Sequence, residues 1–215
     1  MSYSLNSFNA GLTASEKNTL DKLKKPADIQ ALLDDLLYPS IDFNRSPLRV
    51  LREHTAHCLD GGLFASICLH RLGFPPLILD LQPEPGRDDD HVLALFKVDG
   101  YWGACAKSNY IGLRFREAIY RNLRELVMSY FEGFFNIKRE KTLRYYTRPI
   151  NLNRFDCYDW ATSSFGVDVI EKHLKNARLI SLITTKQVSR LSQVDKRSYR
   201  AATLETNPAG VFRPK

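Results

Sequence analysis

Apolar residues recur at three- and four-residue spacing in the first third of the chain, then alternate with polar ones further on. The helical spacing starts at Thr13-Ala-Ser-Glu16, which has the order of a capping box, and continues through Leu20 and Leu23. Pro26 suits the first turn of a second helix, with Ile29, Leu32, Leu33, Leu36 and Leu37 on one stripe and Pro39 as its stop. Ser46-Pro47 predicts a third, short helix through Leu51. From Cys58 to Leu72 the period returns in Leu59, Leu63, Ile67 and Leu72, closed by Gly73. Residues 1–12 read as a loose, polar leader.

Strand patterns follow. LILDL (77–81) predicts one strand, and a loop rich in Pro, Gly and Asp runs to residue 90. HVLALFKV (91–98) and YWGACAK (101–107) flank Asp99-Gly100, a strong hairpin signal. YRNLRELVMSYFEGF (120–134) predicts an amphipathic helix, TLRYYTRPINL an extended segment, VDVIEKHLKNA a helix and RLISLIT (178–184) a last strand. These elements predict an α+β fold with a mainly antiparallel sheet. Three segments are expected: a leader and helical pair (1–45), a core (46–183) and a C-terminal extension (184–215).

Composition narrows the class of protein. Of the residues, 44% are hydrophobic and 26% charged, which is globular rather than disordered composition. The first residues lack a basic start followed by an apolar run, and no window approaches the ~18 apolar residues of a membrane span. The expectation is a soluble, cytoplasmic protein with no membrane partner. Four cysteines without C-x-x-C spacing are then expected as thiols.

The net charge is +7, and +5 of it falls between Thr184 and the end. A basic extension of this kind could contact nucleic acid, although a solvated, partly disordered end is the plainer expectation.

The candidate chemistry centres on Cys58. A thiol nucleophile needs a positive environment to lose its proton, a base to shuttle protons, and N–H donors for an oxyanion. Cys58 opens a predicted helix, where free amides point outward. His91, at the first residue of a predicted strand, lies 33 residues further on. The run HCLDGGLFASICLHRLGFPPLILDL followed by DDDHVLALFKVDGYWGACAKSNYIG resembles the transglutaminase-like superfamily, which has the papain-like cysteine proteinase fold.

That resemblance covers about residues 50–115 and implies that a central helix carrying Cys58 packs on the sheet. It implies Cys58 as nucleophile, Gly73-Phe-Pro75 as the turn, His91 as base and Trp102 as the aromatic of the next strand. The family's orienting Asp falls on Ala106, which cannot serve. Asn109 is the expected third member, with Ser108 or Asp80 as alternatives. A plain Asp99-Gly100 turn would set Ser108 opposite His91, whereas a bulge at Gly100 would bring Asn109 to the His91 face.

The expected activity is that of a thiol enzyme acting on an amide or acyl bond of a peptide or small amide, by hydrolysis rather than cross-linking, with no cofactor or metal. The alternative is a catalytically inactive transglutaminase-like binding module, with an inert Cys58 and a groove or basic extension that binds a partner.

Plainer readings apply elsewhere. Cys68 and Cys105 are expected in the core, while His70 and His173 are expected to face solvent. His54, His57 and Cys58 have partial zinc-ligand spacing but no further ligands at motif spacing. Asp88, Asp89 and Asp90 read as a solvated loop. Asp80 interrupts an apolar strand and, if buried, needs a partner. Arg114, Arg116, Arg121 and Arg124, with Tyr120, read as a solvated helix face.

Overall fold

The structure, a computed structural model, describes residues 2–40 and 43–214. Helix α1 (Tyr3–Gly11) starts at Ser2, whose hydroxyl accepts the Leu5 amide at 3.3 Å. The expected loose leader is therefore largely helical. Asp156 supplies the reason, accepting the Tyr3 amide at 2.9 Å and the Ser2 hydroxyl at 3.1 Å, while Phe8 is fully buried. Helix α2 (Ala14–Asp21) opens on the Thr13/Glu16 capping box, and α3 (Pro26–Asp35) and α4 (Pro47–Glu53) each begin with proline. Helix α5 (Cys58–Arg71) follows, buried at every residue from Cys58 to Leu69.

Among the described residues, seven strands form one sheet: β1 (Leu77–Pro83), β2 (His91–Val98), β3 (Tyr101–Cys105), β4 (Arg116–Tyr120), β5 (Leu143–Thr147), β6 (Ile150–Asn151) and β7 (Leu179–Ser181). The order is β4-β3-β2-β1-β5-β7, with β6 also on β1, and every pairing is antiparallel. This is the mainly antiparallel α+β arrangement that the hydrophobic pattern predicts.

Alternation along the central strands divides the apolar core. Ile78, Val92, Ala94 and Phe96 face α5, packing with Leu59, Leu63 and Ile67. Leu79, Leu81, Leu93 and Leu95 face the other way, onto Leu126, Val127 and Tyr130.

The expected helix over 120–134 is mostly something else. Arg116–Tyr120 pairs with β3, Asn122 caps a short α6 (Leu123–Met128), and a 3-10 turn follows at Phe131–Gly133. Arg116 explains the early end. Its guanidinium donates to the Ser129 hydroxyl at 2.9 Å and to the Ser129 carbonyl at 3.0 Å, and it stacks 4.0 Å from the centre of the Tyr130 ring. Arg116 is thus structural rather than part of a solvated face.

After α7 (Ser164–Lys175) come α8 (Thr185–Val188) and α9 (Lys196–Ala202). The C-terminal extension is ordered against the body rather than partly disordered, although neither α8 nor α9 buries a residue fully. The Val194 amide donates to Arg139 O at 2.9 Å, and Tyr199 packs 5.7 Å from Phe135.

Two glycines let α5 approach the sheet. A Cβ on Gly61 would lie 2.2 Å from the Lys107 Cβ, and one on Gly62 would lie 2.8 Å from a Val92 methyl. Lys107 is itself buried, and its ammonium donates to Leu33 O at 2.8 Å and to Leu36 O, closing the C-terminus of α3. Gly61→Ala is therefore expected to destabilise the fold by about 2–3 kcal/mol, through overpacking against a side chain that cannot move away. Chemical denaturation of the variant beside the native chain measures this.

Candidate functional site at the start of the central helix

The first turn of α5 is built on a buried carboxylate. Asp60 is fully buried and accepts the Arg45 amide at 2.8 Å. The Arg45 guanidinium and the His57 Nε2 each lie 3.4 Å from its Oδ2. Burial pushes the Asp60 carboxyl up from its ordinary range, and His57 and Arg45 pull it back down. Arg45 is also pinned by Glu53 at 2.9 Å and lies 3.9 Å from the centre of the Phe43 ring. This network fixes where the helix starts and holds His57 beside Cys58.

Cys58 borders a cavity of about 320 Å³ together with His57, Asn44, Asp90, Glu171 and Lys175. Its thiol donates to Asp90 O at 3.7 Å. Burial, first of all, and the neighbouring carboxylates Asp90 and Asp89 push the thiol well above its ordinary pKa. The helix amides would favour a thiolate, but the desolvated site among carboxylates works against it. Cys58 is a neutral thiol at physiological pH.

His91 opens β2 as expected, with its imidazole on the other side of the sheet. It shares the alternation of Leu93 and Leu95, and its Nε2 donates to Leu113 O at 2.7 Å. Val92, the next residue, faces α5 instead. The structure therefore does not bring the His91 ring to the face from which Cys58 approaches. Burial holds this imidazole down at about 4, so it is neutral at pH 7.

Of the expected third members, Ser108 and Asn109 border one small hollow with His91, whose ring hydrogen-bonds Leu113 O instead. The hairpin is a plain two-residue turn, Val98 opposite Tyr101, with Asp99 and Gly100 at φ 49° and 87°. That register, continued, sets Ser108 rather than Asn109 opposite His91, and the Ser108 hydroxyl accepts the Tyr110 amide at 3.0 Å. Asn109 is occupied elsewhere. Its Nδ2 donates to Asn207 O at 2.9 Å, and its Oδ1 accepts the Asn207 amide at 2.9 Å.

Asp80 is fully buried on the α5 side, beside Ile78 and Val92, and so is not an orienting partner for the His91 ring. Its partner is Gln82, whose Nε2 donates to it at 2.6 Å and to Asp90 at 3.3 Å. Among the described residues Asp80 Oδ1 has no hydrogen-bond partner, and burial pushes the group well up, as expected of a carboxyl kept neutral inside the protein.

Other sequence expectations resolve as follows. Asp88 and Asp90 are engaged rather than simply solvated: Asp88 accepts the Thr142 hydroxyl at 2.6 Å, and burial first of all raises both to about 6. His70 lies 3.0 Å from Phe74 O, and His173 packs 5.3 Å from the Phe155 ring, so neither simply faces solvent. Cys68 and Cys105 are buried in the core. Among the described residues no cluster of three or more His, Cys, Asp or Glu side chains could hold a metal ion, and no helix is long and apolar enough to cross a membrane.

The His57–Asp60–Arg45 network was missed from sequence, as were Glu171 and Lys175. Only the three-residue spacing of His57 and Asp60 across one helical turn hinted at it. No protein-family model matches the chain, and no curated protein matches it.

The His91 burial has a consequence for pH. Its folded pKa of about 4 lies below the ordinary 6.5, so the unfolded chain takes up a proton that the native state refuses. The neutral imidazole is fully compatible with folding above pH 6.5, and that compatibility is lost as pH falls toward 4. The loss is on the order of 3 kcal/mol. Asp88 and Asp90, raised to about 6, act with the opposite sign over the same window. The difference between native chain and His91→Gln isolates the imidazole: unfolding free energies from pH 7.5 to 4.5 should show the native chain losing stability relative to the variant.

Proposed function

We propose that this chain is a transglutaminase-like module that binds a ligand in the cleft at the start of α5 and does no thiol chemistry there. The observation that carries this reading is the placement of the two reactive groups. The Cys58 sulfur meets a carbonyl and a set of carboxylates, while the His91 ring is tied to Leu113 O on the opposite face of the sheet. A general base needs hydrogen-bond reach of its nucleophile, and a thiolate needs positive surroundings. Ala106 at the position of the family's acid fits the same reading.

What remains is a cavity with good recognition chemistry. Asp90 and Glu171 present carboxylates, His57 and Lys175 are the bases, and Asn44 donates to Asp168 at 2.8 Å and to Glu171 at 3.1 Å. Such a lining suits a polar ligand with both donors and acceptors, a peptide segment above all. The thiol-enzyme reading stays available to experiment through the same two residues.

The test uses a Cys157→Ser background, because Cys157 is the exposed thiol. Alkylation of Cys58 by iodoacetamide is followed by mass spectrometry from pH 6 to 10. The rate should keep climbing through pH 9 without a plateau, and His91→Ala should change it by less than about twofold. A plateau below pH 8 that moves in His91→Ala would establish a catalytic pair and overturn the binding-module reading.

A further inference from the structure

The cleft is already partly filled by this chain. Ala209, Gly210, Val211 and Phe212 border the 320 Å³ cavity, and Gly210 and Phe212 also border a smaller hollow of about 50 Å³ in front of His91. The segment joins the two hollows across their shared rim.

Its attachment uses main-chain groups at Asn207 and Gly210 and side chains at Thr206 and Asn207. The Asn109 carboxamide reads both main-chain groups of Asn207, accepting its N–H at 2.9 Å and donating to its carbonyl at 2.9 Å. The same Nδ2 donates to Gly210 O at 3.2 Å. Asn109 O accepts the Thr206 hydroxyl at 3.2 Å, and the Asn207 side chain donates to Tyr38 O at 2.9 Å. Gly210 passes where nothing larger fits: a Cβ there would lie 2.8 Å from Pro39 O and 2.9 Å from the Tyr38 ring.

A carboxamide that takes both main-chain groups of one residue fixes that residue's backbone, extended at Asn207, and a 3-10 turn follows over Pro208–Gly210, closed by the Gly210 amide on Asn207 O at 3.1 Å. Selection by side chain lies at Asn207, which donates to Tyr38 O and accepts the Ala209 amide at 3.1 Å, at the tight passage of Gly210, and at the Val211 and Phe212 positions that follow.

We propose that residues 207–212 are an intramolecular occupant of the cleft, holding the place of a peptide that makes the same Asn-Pro-x-Gly turn and follows the glycine with an apolar and an aromatic residue. That peptide engages Asn109 and Tyr38 once the segment has swung out. The inference rests on the cleft being a binding site, and it names the ligand class. It also accounts for Asn109, which the sequence marks as a candidate third member of a catalytic set and the structure gives to recognition. Because the occupant is tethered, its effective concentration is on the order of millimolar, so a free peptide competes poorly with it.

The experiment evicts the segment without touching the residues that hold it. In the full chain, Gly210→Leu and the milder Gly210→Ala collide with Pro39 and Tyr38, while Asn109 stays intact. Hydrogen exchange of residues 207–212 should accelerate at least about tenfold in Gly210→Leu, with α5 and β2 as protected as in the native chain. A fluorescent peptide copying residues 206–213 should then bind Gly210→Leu at least about tenfold more tightly than the native chain. Asn109→Ala in the Gly210→Leu background should lose that gain.

Unchanged exchange at 207–212 in both glycine variants overturns the proposal. So does a released segment with no gain in peptide binding, which would make these contacts packing alone. The thiol titration is independent of these outcomes. A reactive Cys58 would overturn the non-catalytic reading and leave the occupant standing, whereas a failed eviction leaves the thiol result untouched.

Discussion

The close contact of α5 with strand β2 and with Lys107, just past the end of β3, is the constraint from which the other features follow. Gly61 and Gly62 remove the side chains that would hold the helix off the sheet, and Lys107 and Val92 fill the space. Because the helix lies so low, its first turn reaches the start of β2, and Cys58 meets the Asp90 carbonyl directly. Lys107 carries the contact a layer further by satisfying the last carbonyls of α3. One pair of residues without side chains thus positions a thiol, seats a buried ammonium and closes a neighbouring helix.

Electrostatics at that contact are dominated by acids. Asp80, Asp90 and Asp60 lie around the start of α5, and each is pushed up by burial. Where Arg45 and His57 oppose the charge, as at Asp60, the result is a rigid cap for the first turn. Where carboxyls meet each other through Gln82, one of them stays neutral, and the local field disfavours a thiolate. Two desolvated neutral groups, thiol and imidazole, lie on different sides of one sheet, and the cavity beside the start of α5 is bordered by α7 and residues 209–212.

Much of the fold was legible along the chain because its signals are local. The Thr13/Glu16 cap, the prolines opening α3 and α4, the α5 period and the Asp99-Gly100 turn depend on neighbours within about four residues. The failures have a common physical cause. The α1 helix depends on Asp156, and the shortness of α6 depends on Arg116 capturing Ser129. The ordered extension depends on Arg139, Phe135 and Asn109. Each partner is distant in sequence or acts across a strand, where periodicity carries no information.

The candidate site divides in the same way. By itself the sequence determined that Cys58 begins a helix and that His91 begins a strand, since each follows from short-range geometry, and it left both Ser108 and Asn109 open as the residue on the His91 face. Only the tertiary structure decided which face of the sheet α5 covers. The strand period is two, so Val92 reaches the helix side and His91 does not, and no local pattern encodes that choice. The same packing gave Asn109 to the backbone of residues 207–210, a pairing that arises only when the extension folds back across the cleft.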